Sequence, residues 1–144
     1  MDFSEAIRKQ ITALGITGEP AEFLAAIWRV TQFFDDIADG DDVSRETLDV
    51  VLWDCLVGLN SNGFFIAKRA ELLPVMAVQL LKWQASDKAE RDGRADAKSF
   101  MWRAGYYDLV LFVNLLCNGP DAPIAPLSLY GETLSDYLKE FPHA

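Results

Sequence analysis

Histidine is almost missing from this chain and cysteine is scarce: His143 stands alone near the C-terminal end, and Cys55 and Cys117 are the only thiols. With its single histidine in the tail, the chain can build neither a Ser-His-Asp or Cys-His nucleophile nor a histidine zinc site within its core. Both cysteines sit inside apolar runs of helical spacing, where a free thiol behaves as a small hydrophobe, so no disulfide is expected. Positive charge is also short. Thirteen Lys and Arg face 22 Asp and Glu, a formal net charge of −9, and the basic residues do not cluster. Such a balance repels phosphate backbones and anionic lipid, which excludes nucleic-acid and membrane partners. Long hydrophobic runs are absent, the longest falling well short of the roughly 20 residues of a membrane span. The opening Met1-Asp2-Phe3-Ser4-Glu5 has no basic region followed by an apolar one, so no secretory signal is read and a cytoplasmic location is expected. No GxGxxG or GxxxxGK[ST] loop is present, which removes the common nucleotide-binding fingerprints.

What remains is apolar material at helical spacing. The chain has 144 residues, of which 51% are hydrophobic. That is the size of one domain with a sizeable core. The reading is an all-α fold, a single-domain helical bundle of about six helices spanning residues 1–144. Glycine, proline and asparagine punctuate it. A first helix reaches about Leu14, with Gly15 suited to the position just past its end. The second runs over about 20–39, with Phe23, Ala26, Ile27, Val30, Phe34, Ile37 and Ala38 on one arc and Glu22, Arg29, Gln32, Asp35, Asp36 and Asp39 opposite. Ser44 caps a third helix to about Leu59, which forms an antiparallel hairpin with the second. After Asn60-Ser61-Asn62-Gly63 and a short segment over 64–73, Pro74 is expected to open a fourth helix. A fifth, over about 95–117, is apolar all round after Ala104 and is expected to be the most buried element. A last amphipathic helix carries Leu134, Tyr137 and Leu138.

The sharpest local feature is Phe33-Phe34-Asp35-Asp36-Ile37-Ala38-Asp39-Gly40-Asp41-Asp42. Aspartate is a poor helix former, and the negative end of a helix makes each exposed carboxylate there unfavourable by a few tenths to about 1 kcal/mol. Asp35 and Asp39 also repel one turn apart. The arrangement asks for a cation, and carboxylates one turn apart suit Mg²⁺, a hard ion that keeps waters for a phosphate to replace. The alternative is a solvated acidic face, with Asp41 and Asp42 favourably placed near the start of the next helix.

Two local resemblances attach to these residues. Asp35-Asp36-Ile37-Ala38-Asp39 is similar to the DDxxD motif of class I isoprenoid synthases, which implies that Asp35, Asp36 and Asp39 hold Mg²⁺ for a diphosphate, with Arg29 or Arg103 neutralising it. Asp36-Ile37-Ala38-Asp39 followed by Glu46-Thr47-Leu48-Asp49 resembles the paired ExxE and ExxD motifs of all-α nucleotide pyrophosphohydrolases, which implies Glu46 and Asp49 as further metal ligands. Over most of its length the chain looks more like small helical proteins of tailed phages and prophages with no assigned activity. That resemblance rests on Trp28 with Phe34 to Asp41, Asn62-Gly63-Phe64-Phe65, Leu80-Leu81-Lys82-Trp83, and Trp102-Arg103-Ala104 leading into Tyr107-Asp108. It implies a phage setting inside a host cell and supplies no catalytic residues.

Two further features concern pairing and assembly. Asp108, amid Tyr106, Tyr107, Leu109 and Val110, is expected to be buried with a partner such as Arg103 or Arg29. On the third helix Leu48, Val51, Leu52, Cys55, Leu56 and Leu59 form the expected inner stripe, yet Val50, Trp53 and Val57 load the other side. Apolar surface of that kind usually meets a partner. The expectation is a homodimer, or docking onto another phage protein, through Trp53 and Val57 with Asp54 at the rim. The leading functional reading is therefore association; the alternative is a Mg²⁺-dependent enzyme on a diphosphate substrate.

Overall fold

The computed structural model describes residues 3–141, with side chains from Glu5 onward; His143 lies outside the described residues. All regular structure among them is helical. The helices are α1 Phe3–Ala13, α2 Glu19–Ala38, α3 Arg45–Ser61, α4 Gly63–Arg91, α5 Ala97–Trp102, α6 Tyr106–Asn118 and α7 Leu134–Glu140. Short 3₁₀ turns lie at Gly119–Asp121 and Leu127–Leu129. The chain forms two compact units, one of residues up to Arg69 with Asn114–Pro123, the other of Ala70–Val113 with the residues from Ile124. No single described helix is long and apolar enough to cross a membrane.

In the first unit, α1 buries Ile7 and Ile11, and Leu14 and Ile16 follow them inward. Gly15 between them takes φ +76°, the left-handed conformation its place past the helix end requires. α2 begins with Pro20 in its first turn and buries Phe23 to Ile27. Phe23 stacks on Phe65 at 5.6 Å between ring centroids. Toward its end the inward face differs from the expected arc: Phe33 is buried, whereas Phe34 and Ile37 are about half exposed. Arg29 and Phe33 lie one turn apart, and this is the side that α3 approaches.

The two helices are joined by a tight end. The Asp41 N–H reaches the Asp36 carbonyl at 2.9 Å and the Gly40 N–H that of Ile37 at 3.1 Å, with Gly40 left-handed. Ser44 then caps α3, its hydroxyl accepting from the Thr47 N–H at 3.1 Å, as the sequence predicts.

α4 departs from expectation. It is one helix of 29 residues, with Pro74 inside it rather than opening it. Its real start is fixed by Asn62, whose side-chain oxygen accepts from the Phe65 N–H at 2.9 Å and whose amide donates to the Glu19 carbonyl at 3.0 Å. The Glu19 carboxylate takes the Gly63 N–H. A Cβ on Gly63 would lie 2.7 Å from that carboxylate, so any larger residue there must displace the Glu19 cap. Pro74 deprives the Ala70 carbonyl of its helical donor, a loss that is tolerable because Ala70 is exposed to water.

In the second unit the buried positions of α4 are Leu72, Gln79 and Ser86, seven residues apart, with Val75, Met76, Trp83 and Glu90 half-buried beside them. The expected continuous helix over 95–117 is instead broken between Trp102 and Tyr106. Gly105 shows why: a Cβ there would lie 3.0 Å from the Gln79 carbonyl oxygen and 3.2 Å from its Cα, so backbone meets backbone at the break. α5 starts with a capping box between Asp96 and Ser99. α6 is not buried all round: Tyr106, Leu109, Val110 and Val113 face inward while Leu111 is about half exposed. α7, capped by Thr133, buries Tyr137 completely against Phe100 and Phe141.

Candidate functional site

The interface residues expected on α3 stand in two different environments. Asp54 is buried, with its side chain 8% exposed, and it binds Arg29 of α2 through both oxygens, at 2.9 and 3.1 Å. It is therefore not a rim residue, and Arg29 is not a cation held open for a diphosphate. Each group satisfies the other's charge away from bulk water. The hydrogen bond and charge of Asp54 raise the guanidinium further above its ordinary pKa. The two residues are about equally far from the turn that joins their helices, as an antiparallel hairpin requires.

This pair sets the roll of α3. On an ideal wheel the leucine stripe and the Val51, Asp54, Gly58 edge are separated by about a quarter turn. Of the expected inner stripe the structure buries Val51, on the edge shared with Asp54, and half-buries Leu59, while the others stay outside: Leu48 is 37%, Leu52 53% and Leu56 67% exposed. Cys55 is exposed as well, its thiol pKa raised by partial burial and then by the charge of Asp54. From Asp54 to Gly58 the backbone is π-helical, a wide turn that often marks functional positions. Trp53, immediately before it, is 63% exposed, with Val50 and Val57 also exposed beside it. A Cβ on Gly58 would lie 3.6 Å from the Trp53 ring, so an edge of the indole passes close to the bare backbone of the wide turn. The result is a helix with apolar side chains on both flanks. Leu48, Val50, Leu52, Trp53, Leu56 and Val57 are all more than a third exposed.

Of the acidic residues, Asp35 and Asp36 are half-buried, and Asp39, Glu46 and Asp49 are exposed. Asp36 accepts from the Gln32 amide at 3.0 Å. Asp39 closes α2, its N–H on the Asp35 carbonyl. Among the described residues no group of three or more His, Cys, Asp or Glu side chains is brought together so as to hold a metal ion.

The second unit contains a constellation that sequence reasoning missed. The Tyr137 hydroxyl donates to Glu90 at 2.9 Å and shares a 2.6 Å hydrogen bond with Ser99. Ser86 donates to the Ser99 carbonyl at 2.8 Å and reaches Glu90 at 3.1 Å. Arg103, expected as a diphosphate ligand, lies instead between Glu90 and Glu132 at 3.9 Å from each, its guanidinium over the rings of Tyr137 and Phe141 at 5.0 and 5.3 Å. Tyr130 donates to Glu132 at 2.8 Å. These groups interlock in a largely buried network that ties α4, α5 and α7 together, with Arg103 held in it by charge and ring contacts. Burial pushes the Tyr137 and Tyr107 phenols up to about 12 and Tyr130 beyond that range. Only the Asp96-x-x-Ser99 cap and the Ser86-x-x-x-Glu90 spacing hinted at the network in sequence. Asp108 is likewise corrected: it is exposed, and its partner is Lys82 at 2.6 Å rather than Arg103 or Arg29.

Comparison of the chain with protein-family models, with curated proteins and with solved structures gives no match.

Proposed function

We propose that this chain works by association, with the apolar flanks of α3 as its docking face and Trp53 as the anchor. The observation that carries the reading is Trp53, 63% exposed between Leu52 and Leu56 on a helix whose only buried apolar side chain is Val51. Rigid aromatic anchors in an apolar surround are the usual centres of protein interfaces. The resemblance to small helical phage proteins supplies the setting, in which the partner is another phage protein in the host cytoplasm. A homodimer through the same residues is the other form of the reading. The net charge of −9 supports a protein partner over nucleic acid or anionic lipid.

The competing reading is a Mg²⁺-dependent enzyme on a diphosphate, using Asp35, Asp36, Asp39, Glu46 and Asp49. It has less support, because Arg29 and Arg103 are each engaged with carboxylates of this chain. A rise in melting temperature with millimolar Mn²⁺, abolished by Asp35→Asn with Asp39→Asn, would restore it.

The test of association places a photo-crosslinking amino acid at position 53 in cells that express the chain natively. A discrete adduct at 53, missing when the probe sits at the exposed Gly131, is the expected result. No adduct at 53 would overturn the proposal.

A further inference from the structure

The outward side of α4 in the second unit carries an apolar pattern of its own. Ala70, Leu73, Ala77, Leu80 and Gln84 are all exposed, Leu73 by 47% and Leu80 by 53%. Their spacing of three and four residues is that of a coiled-coil seam. In sequence the same register extends back to Ile66. From Ala70 to Leu80 the positions alternate in size, with alanine at each first position and leucine at each fourth. Leu81, 62% exposed, flanks the seam on one side, with Val78, 52% exposed, further round the same side. Between positions 70 and 84 the only charges are Glu71 and Lys82, so this stretch is neutral in a chain of net charge −9. The buried residues of α4, Leu72, Gln79 and Ser86, form a separate line, and about half of Leu73 and of Leu80 is left uncovered by the protein's own packing.

We infer that this seam is where a second copy of the chain packs, α4 against α4 in antiparallel orientation. In an antiparallel pair each first position of the heptad faces a fourth position of the partner. Here that rule places Ala70 opposite Leu80 and Ala77 opposite Leu73, about a two-fold axis beside residue 75. Both of these layers join a small side chain to a large one, which is self-complementary. A parallel pair would set alanine against alanine in alternate layers, leaving those layers underpacked. The local neutrality removes the repulsion that two acidic chains would otherwise meet. The area covered is on the order of 1,000 Å² for the pair, at the lower end of specific interfaces. The residues of this seam are separate from the docking face on α3.

Light scattering on the full chain from about 1 to 100 μM reads the assembly. The wild type is expected to dimerise, Leu80→Glu to be a folded monomer by circular dichroism, and Trp53→Glu to dimerise as the wild type does. Ala77→Leu separates a built seam from general stickiness. It adds apolar surface yet crowds Leu73 of the other copy, so it is expected to weaken the dimer about tenfold or more. A nitroxide at Gln84→Cys, with Cys55→Ser and Cys117→Ser, should report about 30 Å across the antiparallel pair, against about 10 Å for a parallel one. A wild type monomeric at 100 μM, a dimer strengthened by Ala77→Leu, a dimer lost with Trp53→Glu but kept with Leu80→Glu, or a spin-label distance near 10 Å would each overturn the inference. If position 53 still crosslinks while the wild type stays monomeric, the α3 proposal survives and this one fails.

Discussion

Substituting the two halves of the Arg29–Asp54 pair separately should destabilise the protein unequally. Asp54 is the more deeply placed partner, with 8% of its side chain exposed against 31% for Arg29. Arg29→Met strips the carboxylate of two hydrogen bonds and leaves its charge buried, a change that costs about 3–5 kcal/mol. Asp54→Asn leaves a guanidinium that can turn to water, and its cost should be about 1–3 kcal/mol. Removing both charges in Arg29→Met with Asp54→Leu should recover most of the loss, because a buried ion pair often gives little net stability over an apolar pair. Urea unfolding followed by circular dichroism, compared at constant slope, gives the three values. The same double variant tests the roll of α3. Without the pair, the leucine stripe is free to turn inward by about a quarter turn, carrying Cys55 with it. Cys55 should then lose its reactivity toward Ellman's reagent while Cys117 keeps its own; both are exposed and unbridged in the native chain. Equal costs for the two single changes, or a double variant whose loss equals their sum with Cys55 still reactive, would refute the reasoning.

Other expectations follow from single sites. Gly105→Ala pushes a methyl group against the Gln79 backbone and should cost about 1–3 kcal/mol. Gly131→Ala, where nothing lies within 4 Å, should change unfolding by less than about 1 kcal/mol. Pro74→Ala returns a donor to the Ala70 carbonyl inside α4 and should raise stability by about 1–2 kcal/mol, measured by urea midpoint; a loss would show that proline is required there. Burial raises the Tyr107 and Tyr137 phenols to about 12, whereas the unfolded chain ionises near about 10. The stability they contribute is therefore whole below pH 10 and lost as pH rises from about 10 to about 12. Phenolate absorbance at 295 nm should show both rings resisting ionisation until that range, and a single normal titration near 10 would contradict their burial.

Periodicity and caps determined the helical class of this protein. Apolar spacing near 3.6 leaves no room for strands, and Gly15, Gly40 and Ser44 mark ends that their backbone conformation or hydroxyl enforces locally. Those signals act within a few residues, so they can be read from a line of text. The roll of α3 could not. Its wheel favours the leucines, and the outcome turned on a carboxylate 25 residues from the arginine it meets, a long-range ion pair whose burial outweighs a few exposed leucines. At α4, Pro74 is a strong local signal to start a helix, but Asn62 caps one three residues before Phe65 and Glu19 fixes that start from 44 residues before Gly63. The break at Gly105 and the positions of Arg103 and Asp108 were also decided by neighbours brought close only in three dimensions. Local chemistry chose the helices; which side of each helix faced inward was left to contacts between residues far apart in the chain, and those contacts put Trp53, Leu52 and Leu56 on the surface.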